Sequence, residues 1–296
     1  MARLRGILGR VERLLGLAEH WLRSQLPEPA DPRRFEEVLA FRWEARHGPG
    51  HLVAIPEPAL FDLDDLRGVA LPLERLVANT EQFLEGLPSN HVLLFGERGT
   101  GKSSAVRGLL GRFGSRGLRI VEVHKDDLLH LPDVLDQLRP APQRFLIYCD
   151  DLSFDAGETR YRELKAALEG SLAAPPANVL IVATSNRRHL LPERMEENLQ
   201  ARLTPEGELR MGEALDEKLA LSDRFGLVLG FFGFDQDTYL SIVEHYAKQA
   251  GLRLDSETLR AEALRFALER STRSGRTARQ FVDDLAGRET LGRQRS

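Results

Sequence analysis

The chain has 296 residues, 29% of them charged and 42% hydrophobic, enough for a sizeable core in one large or two smaller domains. A formal charge of −4 gives no argument for attraction to nucleic acid or anionic lipid, and a single cysteine, Cys149, excludes an internal disulfide framework and suits a reducing cytosol. No apolar run reaches the length of a membrane span, and the arginine-bearing N-terminus lacks the continuous apolar core of a signal peptide, so a cytoplasmic protein is expected.

From Leu4 to Leu22, apolar side chains recur at Ile7, Leu8, Val11, Leu14, Leu15, Ala18 and Trp21, which is one face of a helix. Pro27, Pro29 and Pro32 end it, and Phe35 to Trp43 reads as a second helix before Gly48, Pro49 and Gly50 break the chain. Residues 1–55 are therefore expected to be an N-terminal helical extension, packed on the chain's own core or offered to a partner. An α/β core over residues 56–234 and a helical lid over residues 235–296 are expected to follow.

Val92 to Phe95 is a short buried strand that runs into Gly96-Glu-Arg-Gly-Thr-Gly-Lys-Ser103 and then into an amphipathic helix. Gly96, Gly99 and Gly101 lack Cβ atoms, so successive backbone N–H groups can turn inward on a polyphosphate at the positive end of that helix. Strand, loop and helix in this order make a phosphate-binding loop. Lys102 is expected on the β and γ phosphates and the Ser103 hydroxyl on Mg²⁺, with Glu97, Arg98, Thr100 and Ser104 completing the nucleotide-binding set.

Leu118–Val123, Arg144–Cys149, Asn178–Ala183 and Gly226–Gly230 read as further strands, with helices around Leu131–Leu138 and Tyr161–Leu172. This alternation predicts a parallel sheet covered on both faces. From Asp237 onward the strands stop, and Thr238–Gln249, Ser256–Arg270 and Thr277–Ala286 read as three helices.

The strand from Arg144 ends in Asp150 and Asp151, where an open α/β sheet places its ligand chemistry. Asp150 is expected to hold the hydration shell of Mg²⁺, and Asp151 to orient or deprotonate the attacking water. Asn186, closing the strand from Asn178, either holds the same water or caps the turn at Arg187. Arg224 either reaches a phosphate on a neighbouring subunit or pairs with an acid such as Asp223. Arg276 and Arg279 lie three apart on one helix, placed either to touch the γ-phosphate or to form a solvated basic face.

These elements in this order resemble the AAA+ ATPases: Walker A at Gly96–Ser103, Walker B ending at Asp150 and Asp151, sensor 1 at Asn186, an arginine-finger segment at Arg224 and sensor 2 at Arg279, with Arg276 as its possible substitute. CDDLSF at Cys149–Phe154, ATSNRRHL at Ala183–Leu190, LSDRFGL at Leu221–Leu227 and SGRTARQFVDDL at Ser274–Leu285 look like one uncharacterised bacterial family within that superfamily. The resemblance covers residue 60 to the C-terminus. It implies a five-stranded P-loop NTPase core of order 5-1-4-3-2, a C-terminal helical lid, ATP and ADP as ligands with Mg²⁺, and a homo-oligomer whose sites are shared between subunits. It also implies that Leu63–Val69 borders adenine. Asp151 departs from the family's glutamate by one methylene.

The function expected is Mg-dependent ATP hydrolysis that remodels or loads a macromolecular partner. The alternative is an ATP-dependent switch with little turnover, and a small-molecule kinase stands third. The sequence does not choose the partner: His124–Leu128 lacks the aromatic residue of a polypeptide-threading loop, and no basic stripe with interleaved aromatics marks nucleic acid.

Overall fold

The computed structural model of the chain describes residues 33–45, 50–153, 161–169, 176–186, 202–203, 209–210, 222–252 and 255–295. The helix expected over residues 4–22 lies outside them. Strands in chain order are β1 (Ala40–Glu44), β2 (His51–Ile55), β3 (Val92–Gly96), β4 (Leu118–Glu122), β5 (Arg144–Cys149), β6 (Val179–Ser185), the short antiparallel pair β7 (Arg202–Leu203) and β8 (Leu209–Arg210), and β9 (Leu227–Phe231). Helices are α1 (Arg34–Glu37), α2 (Ala70–Leu84), α3 (Lys102–Phe113), α4 (Leu131–Leu138), α5 (Tyr161–Glu169), α6 (Gln236–Gln249), α7 (Ser256–Glu269) and α8 (Gly275–Arg295).

Among the described residues, seven strands form one sheet in the order β2-β1-β4-β5-β6-β3-β9. The five strands expected from the sequence stand side by side and parallel, and their order is the anticipated 5-1-4-3-2. Leu93, Phe145, Ile147 and Ile181 face one core with α4 and α5. Val92, Leu94, Leu146 and Leu180 face a second core with α2 and α3. Both faces are covered, which explains the near-continuous apolar runs of these strands.

The sheet is wider than expected by two strands, and both come from the segment read as helical. Only Arg34–Glu37 is helical in the stretch from Phe35 to Trp43; β1 follows it, parallel to β4 and antiparallel to β2. The expected boundary at residue 55 therefore does not separate this segment from the sheet. The physical reason is alternation: Phe41 and Trp43 are buried on one face, while Arg42 is exposed and its Nε donates to Glu122 of β4 at 2.8 Å. Phe35 seals the end of that core, edge-on to Phe41 at 5.1 Å and to Phe145 at 4.9 Å between ring centroids.

Helices α6 to α8 enclose a third core of Tyr239, Val243, Ala263, Ala278 and Phe281. Their starts are local events. Asp235 and Asp255 accept from the backbone N–H of Thr238 and Thr258, each at 2.8 Å, satisfying donors that a helix N-terminus leaves open. Cys149 is fully buried in β5, and burial, with the nearby Asp150 charge, pushes its thiol pKa up to about 12.

Candidate functional site

The C-terminal ends of β3, β5 and β6 open onto a cavity of about 790 Å³ roofed by α6 and α8. Of the expected site residues, Arg98, Gly99, Thr100, Gly101, Lys102, Ser103, Ser104, Asp150, Asp151, Asn186, Arg276 and Arg279 line it. Gly96 and Glu97 lie outside the lining and reach the site through their carbonyls, which accept from Lys102. Arg224 is exposed and lies outside the lining.

Backbone geometry explains the glycines of the loop. Gly101 has φ 102°, a left-handed conformation that lets α3 begin at Lys102 directly below the loop. A Cβ on Gly96 would stand 1.9 Å from the Phe231 carbonyl oxygen, so only glycine fits beside β9. Lys102 lies across the loop, its ammonium donating to the carbonyls of Gly96 and Glu97, both at 2.7 Å, and to Asn186 Oδ1 at 3.2 Å. Burial lowers its pKa; Asp151 and Asp150 oppose that shift, while Arg276 and Arg98 add to it.

Ser103 and Asp150 face each other, the hydroxyl donating to Asp150 Oδ1 at 3.0 Å. Burial works against the Asp150 charge, but the surrounding hydroxyls of Thr184, Tyr148 and Ser103 and the Asp151 N–H outweigh it and hold its pKa below the usual value. An ionised carboxylate beside a hydroxyl is the all-oxygen donor set that a hard divalent cation takes, so these two residues fit Mg²⁺.

Asp151 takes φ 48°, which aspartate tolerates better than most residues because its short side chain hydrogen-bonds locally. Thr184 of β6 straps this turn: its hydroxyl donates to Asp150 Oδ1 at 2.5 Å and accepts from the Asp151 N–H at 2.9 Å, and its carbonyl accepts from Leu152 N–H at 2.7 Å. Asp151 Oδ1 accepts from the Asn186 amide nitrogen, and its Oδ2 stands 3.8 Å from Arg98 Nη2. Asn186 thus bridges Lys102 and Asp151.

The segment from Phe61 to Arg67, whose Leu66 lies against Gly101 of the loop, and helix α6 complete the cavity, with Phe61, Leu66, Ile242 and Tyr246 as its apolar walls. Asp65 joins segment to helix, its Oδ1 accepting from His245 Nε2 at 2.7 Å and from Gln249 Nε2 at 2.6 Å. The start of α8 rests on the loop: Gly275 N–H donates to the Gly99 carbonyl at 2.9 Å, and Ser274 Oγ accepts from Thr277 N–H at 3.1 Å. Arg276 thereby enters the charge field of Lys102. Arg279 instead pairs with Asp283 at 3.1 Å and lies over the Tyr246 ring at 5.3 Å.

Sequence reasoning did not find Thr184, Tyr148 or His245; Asp65 lies within the Leu63–Val69 segment expected to border adenine, but its partners on α6 were not foreseen. Thr184 carried a weak signal, a hydroxyl two residues before Asn186 at the end of an apolar strand. The Asp65–His245 contact joins positions 180 residues apart and carried no local signal.

The five-strand order, the phosphate loop and the trailing helical lid define the class of protein: the fold is that of the AAA+ ATPases. The model of the family described as "Protein of unknown function (DUF815)" matches residues 36–289, and the chain belongs to that family. No curated protein matches it. Among solved structures, it is similar to an A156S mutant of RuvB from Thermotoga maritima, with TM-score 0.54 and 16% identity over 78% of this chain and 66% of that one. It is also similar to the ORC1 protein of Aeropyrum pernix in complex with DNA, with TM-score 0.52 and 17% identity over 78% of this chain and 62% of that one. The chain spans less than two thirds of the length of either, and at these identities the likeness is one of fold.

Proposed function

We propose that this chain binds Mg·ATP in the cavity between its sheet and α6–α8, hydrolyses it to ADP and phosphate, and uses the cycle to act on a macromolecular partner. The observation that carries the reading is a convergence on one cavity: the loop cation Lys102, the hydroxyl–carboxylate pair of Ser103 and Asp150, and a second carboxylate, Asp151, aimed by Asn186. The AAA+ fold supports nucleotide-dependent activity. Two similar structures support a macromolecular partner: a further Thermotoga maritima structure is described as the RuvB Holliday junction branch migration motor, and that of ORC1 is in complex with DNA.

Phe61, Leu66, Ile242 and Tyr246 would flank the base, and the loop N–H groups with Lys102 the phosphates. Ser103 and Asp150 would hold Mg²⁺, which when bound neutralises charge on the β and γ oxygens. Asp151 accepts a proton from the attacking water. As the water oxygen bonds to the γ-phosphorus, the bond to the bridging oxygen breaks and ADP leaves with that electron pair. Arg276, whose charge reaches Lys102, would be the lid cation for the phosphates, and Arg279, over the Tyr246 ring, would lie toward the base. Arg224, exposed and outside the cavity, would serve a neighbouring subunit's site in a homo-oligomer.

The test is phosphate release from ATP over a range of protein concentrations. Specific activity is expected to rise with concentration, Lys102→Ala to lower kcat at least a hundredfold, and Arg224→Ala to abolish the rise with concentration. The second reading, a nucleotide switch with little turnover, is favoured by the shorter Asp151 and by the engagement of both its carboxylate oxygens. Tight ATP binding with no phosphate released at any concentration would establish the switch in place of the ATPase.

A further inference from the structure

Four side chains of the cavity are linked by successive contacts: Lys102, Asn186, Asp151 and Arg98. Two of the cations around the phosphate end hydrogen-bond directly to groups other than Asp151. Lys102 donates to two loop carbonyls and to Asn186, and Arg107 donates to Ser103 O and Ser104 Oγ. Arg98 is different, because its partner at 3.8 Å is the very carboxylate that stands ready for a water.

That pair is easily exchanged. The Arg98 side chain is 76% exposed and that of Asp151 59%, and solvent screening leaves an exposed pair of this kind weak. A terminal phosphate carries more charge than a carboxylate and offers the guanidinium fork two oxygens at once. Arg98 also leaves the loop immediately before Gly99, whose carbonyl anchors the lid, and adds its charge to the field at Lys102, so it already faces the phosphate end of the cavity.

Building on the nucleotide reading above, we propose that Arg98 exchanges Asp151 for the terminal phosphate of bound ATP. One cation then does two things. It recognises the third phosphate from within the same subunit, and by leaving Asp151 it releases Oδ2 of that carboxylate to a water. ADP lacks the γ-phosphate that draws Arg98 away, so with ADP bound the pair stays closed. Arg98 is thus a binding residue toward ATP and a positioning residue toward Asp151.

The test compares Mg²⁺ complexes of ADP and of the non-hydrolysable β,γ-imido analogue of ATP, titrated calorimetrically into the full chain and its variants. Arg98→Gln is expected to weaken the triphosphate analogue about tenfold, the size of one charge-assisted contact, and to leave ADP within twofold; Arg98→Lys recovers most of the loss. Asp151→Asn, which removes the competing partner, is expected to tighten the triphosphate analogue about threefold alone and not at all on top of Arg98→Gln. This cycle does not move if Arg98 merely supports the loop. Equal losses for both nucleotides, or no change in either, would overturn the proposal, and if Arg98→Gln does not fold, the Arg98→Lys and Asp151→Asn titrations decide it. Wild-type chain that binds neither nucleotide instead refutes the reading on which the proposal rests.

Discussion

His91 stands immediately ahead of β3 with its ring against the sheet, its Nδ1 accepting the Ile181 N–H at 3.0 Å. A nitrogen that accepts cannot also carry a proton, and burial lowers the pKa to about 4 from 6.5. Because the folded pKa lies below the unfolded one, the stabilisation is complete above about pH 6.5 and is lost as pH falls toward 4. The loss amounts to roughly 3 kcal/mol at most. Denaturant melts from pH 7 to pH 4 are expected to give wild type a steeper decline than His91→Gln, and parallel curves would contradict it. Arg119 solves the opposite problem. It is a buried cation on β4 whose nitrogens donate to the carbonyls of Phe35, Glu36, Gly114 and Leu118, so the charge is spread over four dipoles, and it fastens α1 to the sheet.

Among the elements, the segment from Phe61 to Arg67 has the widest reach. Leu63 lies on Gly108 of α3, where a Cβ would meet its Cδ2 at 2.2 Å, Leu66 covers Gly101, and Asp65 holds α6. Asp65→Ala leaves His245 and Gln249 without their shared acceptor and is expected to loosen α6 by about 1–2 kcal/mol. Amide exchange in α6 should then quicken about tenfold while β3 and β5 are unchanged; equal acceleration everywhere would mean a general loss of stability. Local signals and distant contacts divide what the sequence made legible. The phosphate loop, β3 to β6, β9 and the helices α6 to α8 were legible because each is written in consecutive residues, as glycine turns, apolar runs or helical spacing. β1 was not, because Phe35, Val38 and Trp43 fit a helical period while Phe41, Arg42 and Trp43 fit a strand, and only pairing with β4 decides between them. α2 was passed over, and the Thr184 strap and the Asp65 clasp join positions tens of residues or more apart. At the site, the residues on the loop and at strand ends were legible, and their mutual arrangement was not.

On the scale of the whole molecule, the sheet extends at one edge through two strands supplied by residues ahead of the phosphate loop, while α6 to α8 build a separate core and meet the loop through Gly275 and Gly99. Nucleotide is therefore expected to weld sheet and lid together and to raise the unfolding free energy of the whole by mass action, about 2.7 kcal/mol at a hundred times Kd. The lone thiol at Cys149 offers a clock for that welding. It sits at the centre of the sheet, one residue from Asp150, with no exposed surface and a pKa that leaves scarcely any thiolate at neutral pH. An aromatic disulfide reagent can strike it only when the sheet opens, and every strike is stoichiometric and coloured. The rate of yellowing in unmodified protein should fall about a hundredfold when ATP is added at that ratio, turning a buried sulfur into a stopwatch for how long the closed molecule lasts.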